Sequence, residues 1–344
     1  MDAFTPWHQR EGFEDVVPVP QDDGPNPMVP IAYPKEYSSA MDTFRYFVST
    51  GEKSQRVLDV TQALVKMNTA HYTVWTYRGQ TLLATGASIE SELDMMDHHV
   101  KAHLKSYQVW QHRRNMVLAL PAAIGHRREL PFCTRTLAID SKNYHTWVYR
   151  HWVLSHFFGP DSACVIAQAD ERDDALRMEK DVKFKDSVWQ GELDYAESLL
   201  NEDLRNNSAW NHRWFVVYGS DHSNRASHKN AESLQERELE YCKDKISIAP
   251  NNPSAWNYLR GVLRHSKTAL IALNAFVEPL TRLESPSCRY ALEWQADSLA
   301  ESKDQAQVKQ AAEVYAALAE QHDPIRRSYW NHLSRKALSS VAVS

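Results

Sequence analysis

Three histidines, His98, His99 and His103, share one segment of this sequence, and the i, i+4 spacing of His99 and His103 could grip zinc from one helix face. No H-E-x-x-H accompanies them, so exposed helix polarity is the expected account. A second pair, His112 and His212, sits in W-x-H-R phrases and invites a proton-transfer reading. Equivalent phrases carry Tyr77, Tyr149 and Tyr258 at that register, so amphipathic packing explains the exchange and a proton shuttle does not. Cys133, Cys164, Cys242 and Cys288 form no C-x-x-C pair, which points to reduced, packed thiols. The sequence holds no P-loop, no G-x-S-x-G and no dinucleotide fingerprint. It shows no complete active site of its own. What remains is a basic and aromatic stretch, KSYQVWQHRR at 105–114, which the chain repeats in altered form.

The elements that would position this stretch emerge from the tryptophans. Trp75, Trp110, Trp147, Trp210, Trp256 and Trp330 stand in the phrases HYTVWTYRG, SYQVWQHRR, NYHTWVYRH, NSAWNHRW, PSAWNYLRG and SYWNHLSRK, at intervals of 35, 37, 63, 46 and 74 residues. A unit of about 35 residues with later insertions marks a repeat architecture. Seventeen residues before the first five tryptophans stand Leu58, Leu93, Leu130, Leu193 and Leu239, the last four preceded by Glu92, Glu129, Glu192 and Glu238. Ten before come Val65, Val100, Leu137, Leu200 and Ile246; seven after come Leu82, Val117, Leu154, Val217 and Leu263. Steps of seven are two helical turns. Each unit therefore reads as two helices with these apolar positions in the core, joined by a short turn with N-cap residues such as Ser106, Asn143 and Asn207. Single hairpins cannot cover their own apolar faces, whereas stacked ones share a core. Arg78, Arg113, Arg150 and Arg213 follow Trp by three, with Arg260 one place later; a structural role at the joints between repeats is expected. The sixth copy, with Glu313 in the leucine place, suits a terminal cap.

Composition agrees with a large helical core. Of 344 residues, 43% are hydrophobic and only 10 are glycine, too few for a turn-rich β chain. A net charge of -5 gives no global pull toward nucleic acid, and none is expected as a partner. The N-terminal stretch has no basic and apolar leader pattern and no apolar run reaches the roughly 18 residues of a span, so a cytoplasmic chain without membrane insertion is expected. Residues 1–34 hold seven of the 15 prolines and form an extended arm, a linker or partner-wrapping tail. Residues 35–344 form one helical-repeat domain, with a partly helical surface insertion at about 161–188 and a polar loop at 220–230.

The repeated N/S-Y-x-x-W-x-H/Y-R phrase with its upstream E-L resembles the repeats of protein prenyltransferase α subunits, over roughly residues 54–335. The tract PVPQDDGPNPMVPIAYPKEY is similar to the N-terminal segment of the α subunit shared by farnesyltransferase and geranylgeranyltransferase type I. The resemblance implies an all-α, crescent-shaped, right-handed superhelix of antiparallel helix pairs around a separate β subunit. It implies transfer of farnesyl or geranylgeranyl from the diphosphate to a C-terminal cysteine of CaaX proteins such as small GTPases, only as a heterodimer. Zinc would belong to the β subunit, and magnesium would accompany the diphosphate, mainly in farnesyl transfer. Lys105 would reach the diphosphate and Tyr107 would lie beside it and the transferring C1, with Gln108 bonding the CaaX carboxylate. Tyr144 and His145 would line the diphosphate and isoprenoid. Ser106 replaces the usual asparagine and should cap the helix about as well. The Rab-directed α subunit and a non-catalytic helical adaptor are the competing readings.

Internal comparison supports Lys105 independently. Five residues before Trp the other copies have Ala70, Lys142, Arg205, Asn251 and Ile325, so stacking does not demand lysine there. Function can be grafted onto such a position.

Overall fold

The computed structural model describes residues 4–159, 162, 174–219, 221–282 and 287–342, with backbone alone for 122–123, 174–179, 221–231 and 340–342. Among the described residues the secondary structure is entirely helical. Helix α1 (Lys35–Thr50) precedes the repeats, which pair α2 (Gln55–Met67) with α3 (Tyr72–Thr85), α4 (Ile89–Ala102) with α5 (Tyr107–Leu118), and α6 (Ala122–Leu137) with α7 (Tyr144–Phe158). The fourth and fifth copies use α8 (Asp174–Glu202) with α9 (Asn207–Trp214), and α10 (Asp221–Ile248) with α11 (Pro253–His265). Beyond them lie α12 (Asn274–Thr281), α13 (Arg289–Ala300), α14 (Gln305–Ala317) and α15 (Arg327–Ala342).

Two compact units are present, Met1–Val182 and Lys183–Ser344. In the first, α1 packs on α2, and the second helices of successive copies stack, α3 on α5 and α5 on α7. In the second, α10 packs on α11, α11 on α9, and α14 lies between α13 and α15.

The seven-residue spacing identifies the core. All ten side chains at ten before and seven after Trp are 5% exposed or less, each contributing roughly 1.5–3 kcal/mol of burial. The leucines at seventeen before Trp behave differently: Leu58 and Leu93 are buried, but Leu130, Leu193 and Leu239 are half-buried, while the glutamates beside them are buried. Hydrophobic periodicity alone ranked these neighbours in the wrong order, because the carboxylates have partners described below.

Each tryptophan also holds its turn. In five copies the indole Nε1 donates to the carbonyl six residues earlier, of Thr69, Leu104, Ser141, Leu204 and Pro250, at 2.7–2.9 Å. A buried indole N–H must find an acceptor, and this one closes the interhelical turn. The sixth copy substitutes a side chain: Trp330 donates to Asp323 Oδ2 at 3.0 Å. Glu313 there is exposed, as suits a terminal repeat.

Capping differs in two places from the sequence reading. Asn143 caps α7 through the Thr146 N–H as expected, but α9 is capped by Asn206, with Asn207 already its first residue. Ser106 makes no capping hydrogen bond to α5; its hydroxyl points to the Thr69 carbonyl and Gln108 Oε1, both at 3.4 Å. The segment expected as a polar loop is helical from Asp221 onward, continuous with α10. Of the 161–188 insertion, residue 161 and residues 163–173, with Cys164, lie outside the described residues, and 174–188 are helical. Cys133, Cys242 and Cys288 are buried thiols.

The arm is only partly extended. It contains a 3-10 turn at Trp7–Gln9, and Phe13 and Val16 are buried. Trp7 N–H donates to Ser39 Oγ at 2.9 Å, and Arg56 forks onto Asp15 at 2.5 and 2.8 Å. Burial of these aromatic and aliphatic side chains overrides the extended bias of the nearby prolines.

Candidate functional site

The buried glutamates organise the joints between copies. Glu92 receives Arg78 of the preceding copy in a two-point fork, 2.8 and 2.6 Å, and His112 Nε2 of its own copy at 2.8 Å. Glu129 receives Arg113 at 2.8 Å through both oxygens and Tyr149 Oη at 2.7 Å. Glu238 repeats this with Arg213, 2.8 and 2.9 Å, and Tyr258, 2.7 Å; Glu192 takes His212 at 2.9 Å. The exchange of His and Tyr is therefore more than amphipathic packing, since each bonds to the buried carboxylate of its own copy. Burial alone would raise the Glu92 carboxyl, but the His112 and Arg78 hydrogen bonds outweigh it and hold its pKa at about 2. For Arg113 burial works against the charge, yet Glu129 more than compensates and raises its pKa. Arg260, displaced by one residue, pairs with Asp297 at 2.7 Å instead. Tyr77, whose copy has no such glutamate, donates to the carbonyls of Phe47 and Glu52, each at 2.8 Å. These arginines and histidines are structural.

The histidine cluster is not uniformly exposed. His98 is, but His99 is buried against Trp75, ring centroids 5.6 Å apart, and lies 4.7 Å from His103. Burial, with His103 and Lys66 nearby, lowers its pKa to about 4, and its Nε2 has no hydrogen-bond partner among the described residues. An apolar tryptophan face draws the ring inward although its neighbours are polar.

The residues singled out for chemistry occupy the opposite environment. Tyr107 and Gln108 open α5, Tyr144 and His145 open α7, and Lys105 lies in the turn two residues before Tyr107. Tyr107 and Tyr144 are 68% and 66% exposed, and Lys105 is exposed. The Tyr107 ring meets His145 edge-on at 4.3 Å, and Tyr144 meets the same imidazole at 5.5 Å. Stacking α5 on α7 thus joins residues 37 and 38 positions apart into one aromatic group. Partial burial lowers the His145 pKa, which favours the neutral imidazole. Lys105 contacts none of these rings, and its ammonium has no hydrogen bond or ion pair among the described residues. Ser106 leaves the first N–H groups of α5 without a side-chain cap, so the positive helix end and Lys105 flank the same turn. Together they present neutral donors and one free cation, a set suited to a multiply charged anion beside an apolar group.

Tyr72 was not singled out from the sequence, although its register announces it. It opens α3 three residues before Trp75, as Tyr107 and Tyr144 stand three before theirs, and it is 72% exposed. Among the described residues no group of three His, Cys, Asp or Glu side chains converges to hold a metal ion, and no helix is long and apolar enough to cross a membrane.

Comparison with known proteins bears on the repeat and on the chain as a whole. Residues 54–85, 89–120, 126–157, 189–219 and 236–266 match the protein prenyltransferase alpha subunit repeat. These segments bracket the five tryptophans that bond to a turn carbonyl. The chain is 31% identical over 338 residues to the protein farnesyltransferase/geranylgeranyltransferase type-1 subunit alpha of Dictyostelium discoideum, covering 96% of this chain and 94% of that protein. The subunit of the same name from Pisum sativum is 30% identical over 361 residues, again covering 96% and 94%. In three dimensions the chain is similar to Candida albicans protein geranylgeranyltransferase-I complexed with GGPP, with a TM-score of 0.77, 26% identity and coverage of 94% of this chain and 98% of that one. A register of buried Trp, Glu and Arg that builds the joints, and near full-length likeness to those two subunits, lead to one assignment: the chain belongs to the family of protein farnesyltransferase/geranylgeranyltransferase type-1 alpha subunits.

Proposed function

We propose that this chain works as the α subunit of a CaaX protein prenyltransferase, active only with a β subunit, and that its own contribution is made by the outer ends of α5 and α7. The reaction joins a cysteine thiolate of the protein substrate to C1 of farnesyl or geranylgeranyl diphosphate; the S–C1 bond forms, the C1–O bond breaks, and diphosphate leaves with the electron pair. Zinc in this reading belongs to the β subunit, and magnesium accompanies the diphosphate. Which prenyl length is transferred then depends on the β subunit. Cytoplasmic location and CaaX-terminated small GTPases as substrates complete the proposal.

Lys105 bears on the departing diphosphate. Negative charge grows on the bridging oxygen as the C1–O bond lengthens, so an ammonium aimed there favours the transition state over the ground state. At about 4 Å and an effective dielectric of about 20 the attraction is roughly 4 kcal/mol, an upper bound before desolvation. Tyr107 flanks C1 and the diphosphate, neutral His145 and Tyr144 supply hydrogen bonds and an aromatic wall, and Gln108 reads the peptide carboxylate. The observation that carries this reading is the contact of Tyr107 with His145, made by two repeats beside an ammonium with no partner among the described residues.

The test is co-expression with a farnesyltransferase or geranylgeranyltransferase type I β subunit and single-turnover transfer to a CaaX peptide. Transfer without an escort protein, absent when either chain is alone, is the expected result. Lack of assembly with both β subunits, or transfer only to double-cysteine termini with an escort, would overturn it in favour of an adaptor or a Rab-directed subunit.

A further inference from the structure

The arm changes character at Gly24. Upstream, Val19 N–H reaches the Asp42 carbonyl at 3.1 Å, while Arg45 donates to the Val19 carbonyl at 3.0 Å and to Gln21 Oε1 at 2.6 Å. Downstream, Met28, Val29 and Ile31 are 97%, 83% and 66% exposed, and residues 25–33 make one main-chain hydrogen bond among the described residues, Tyr33 N–H to the Ile31 carbonyl. Pro25, Pro27 and Pro30 fix φ at three points of this stretch and remove three donors. Its far end is pinned again. Tyr33 packs on Tyr37 at 5.2 Å, Tyr37 Oη accepts from Asn68 Nδ2 at 3.5 Å, and Asn68 Oδ1 takes the Ala70 N–H at 3.1 Å. That turn also carries the Thr69 carbonyl, which Trp75 and Ser106 share, so the strap ends on the edge of the candidate site.

We infer that residues 25–33 are a docking strap for the β subunit, an inference that rests on the heterodimer proposed above. A free tail read by a polyproline-binding domain would need no anchors; this segment is tied at Val19–Gln21 and at Tyr33–Tyr37, which fixes where its apolar side chains point. Such preorganisation reduces the ordering cost of binding. The occupant must meet the strap while lying beside the first repeat and the Tyr72 and Ser106 turns, and the subunit that completes the active site is the partner that meets them. The matching surface would be an apolar trough for Met28, Val29 and Ile31, edged by hydrogen-bond donors such as Asn, Trp or Arg, because a proline-rich strand offers mainly carbonyl acceptors.

The test uses the co-expressed heterodimer. A photo-cross-linking amino acid at position 29 is expected to join peptides of the β subunit. The triple substitution Met28→Ser, Val29→Ser, Ile31→Ser is expected to weaken assembly by at least about tenfold and to leave transfer by the assembled enzyme within about twofold. Leu338→Ser in α15, an exposed residue, is the control and should do neither. Wild-type assembly with cross-links confined to this chain or to some other protein overturns the strap while leaving the heterodimer intact. Failure of the unaltered chain to assemble overturns the heterodimer itself.

Discussion

Glu129 and Lys105 sit in neighbouring copies of one repeat, the first buried between Arg113 and Tyr149, the second exposed with no partner among the described residues. Inside, a charge is tolerated because each carboxylate oxygen is met by a guanidinium or a hydroxyl. Outside, no such demand exists, and the Lys105 register holds Ala70, Lys142, Arg205, Asn251 and Ile325 elsewhere. The stack therefore constrains the joint and releases the turn, which leaves the turn open to acquire chemistry without loss of fold.

The largest effects should come from breaking the interior side of this contrast. Glu129→Ala leaves the buried Arg113 guanidinium with Asp97 alone, and a loss of about 3–5 kcal/mol is expected in urea unfolding. Glu129→Gln, which keeps the volume and part of the hydrogen bonding, should cost less. Trp147→Ala removes a buried ring and its bond to the Ser141 carbonyl, with an expected loss of roughly 3–5 kcal/mol and reduced assembly. A normally stable Trp147 variant would mean that the tryptophan register is not core.

The outer side should respond in rate rather than stability. Lys105→Ala is expected to slow single-turnover transfer by about 10- to 1,000-fold, with assembly unchanged and unfolding free energy within about 0.5 kcal/mol of the parent chain. An unaltered chemical step would remove Lys105 from the mechanism. Equal losses of rate and stability would erase the distinction between joint and turn.

Acid should separate two interior groups. His99 has a folded pKa of about 4 against an ordinary 6.5, so the unfolded chain takes up the proton first and stability should decline as pH falls from about 6.5 to 4. Glu92, held at about 2 against 4.5, contributes stability that is complete above about pH 4.5 and is lost as pH falls toward 2. His99→Leu should flatten the upper part of the stability profile and leave the lower part. The smallest effect belongs to Tyr149→His: a donor to Glu129 is retained, as His112 donates to Glu92, and the expected cost is below about 1.5 kcal/mol.

Particular residues mark how far the sequence could be read. Val65, Val100, Leu82 and Val117 were legible as core because a spacing of seven places side chains on one helical face whatever the neighbours do. The E-L pair was visible but misweighted: the leucine looks like core to any hydrophobic pattern, whereas the burial of glutamate depends on Arg78 or Arg113 arriving from the preceding copy. His99 was misplaced for a similar reason, since only packing brings Trp75 over it. Among the proposed site residues, Lys105, Tyr107, Gln108, Tyr144 and His145 come from resemblance and register, whereas the phrase around Tyr72 has Ala70 in the lysine place and gives no such signal.

By itself the order of residues determined a helical repeat, its period, its core positions and the segment in which to look for chemistry, because those follow from local periodicity and from likeness between copies. Tertiary structure alone decided that histidine and tyrosine each serve the buried carboxylate of their own copy, that Ser106 leaves its helix uncapped, and that Tyr107 meets His145. Each of those outcomes depends on distances across stacked helices, and no pattern along a single chain encodes which groups will be close enough to exchange a hydrogen bond or share a ring edge.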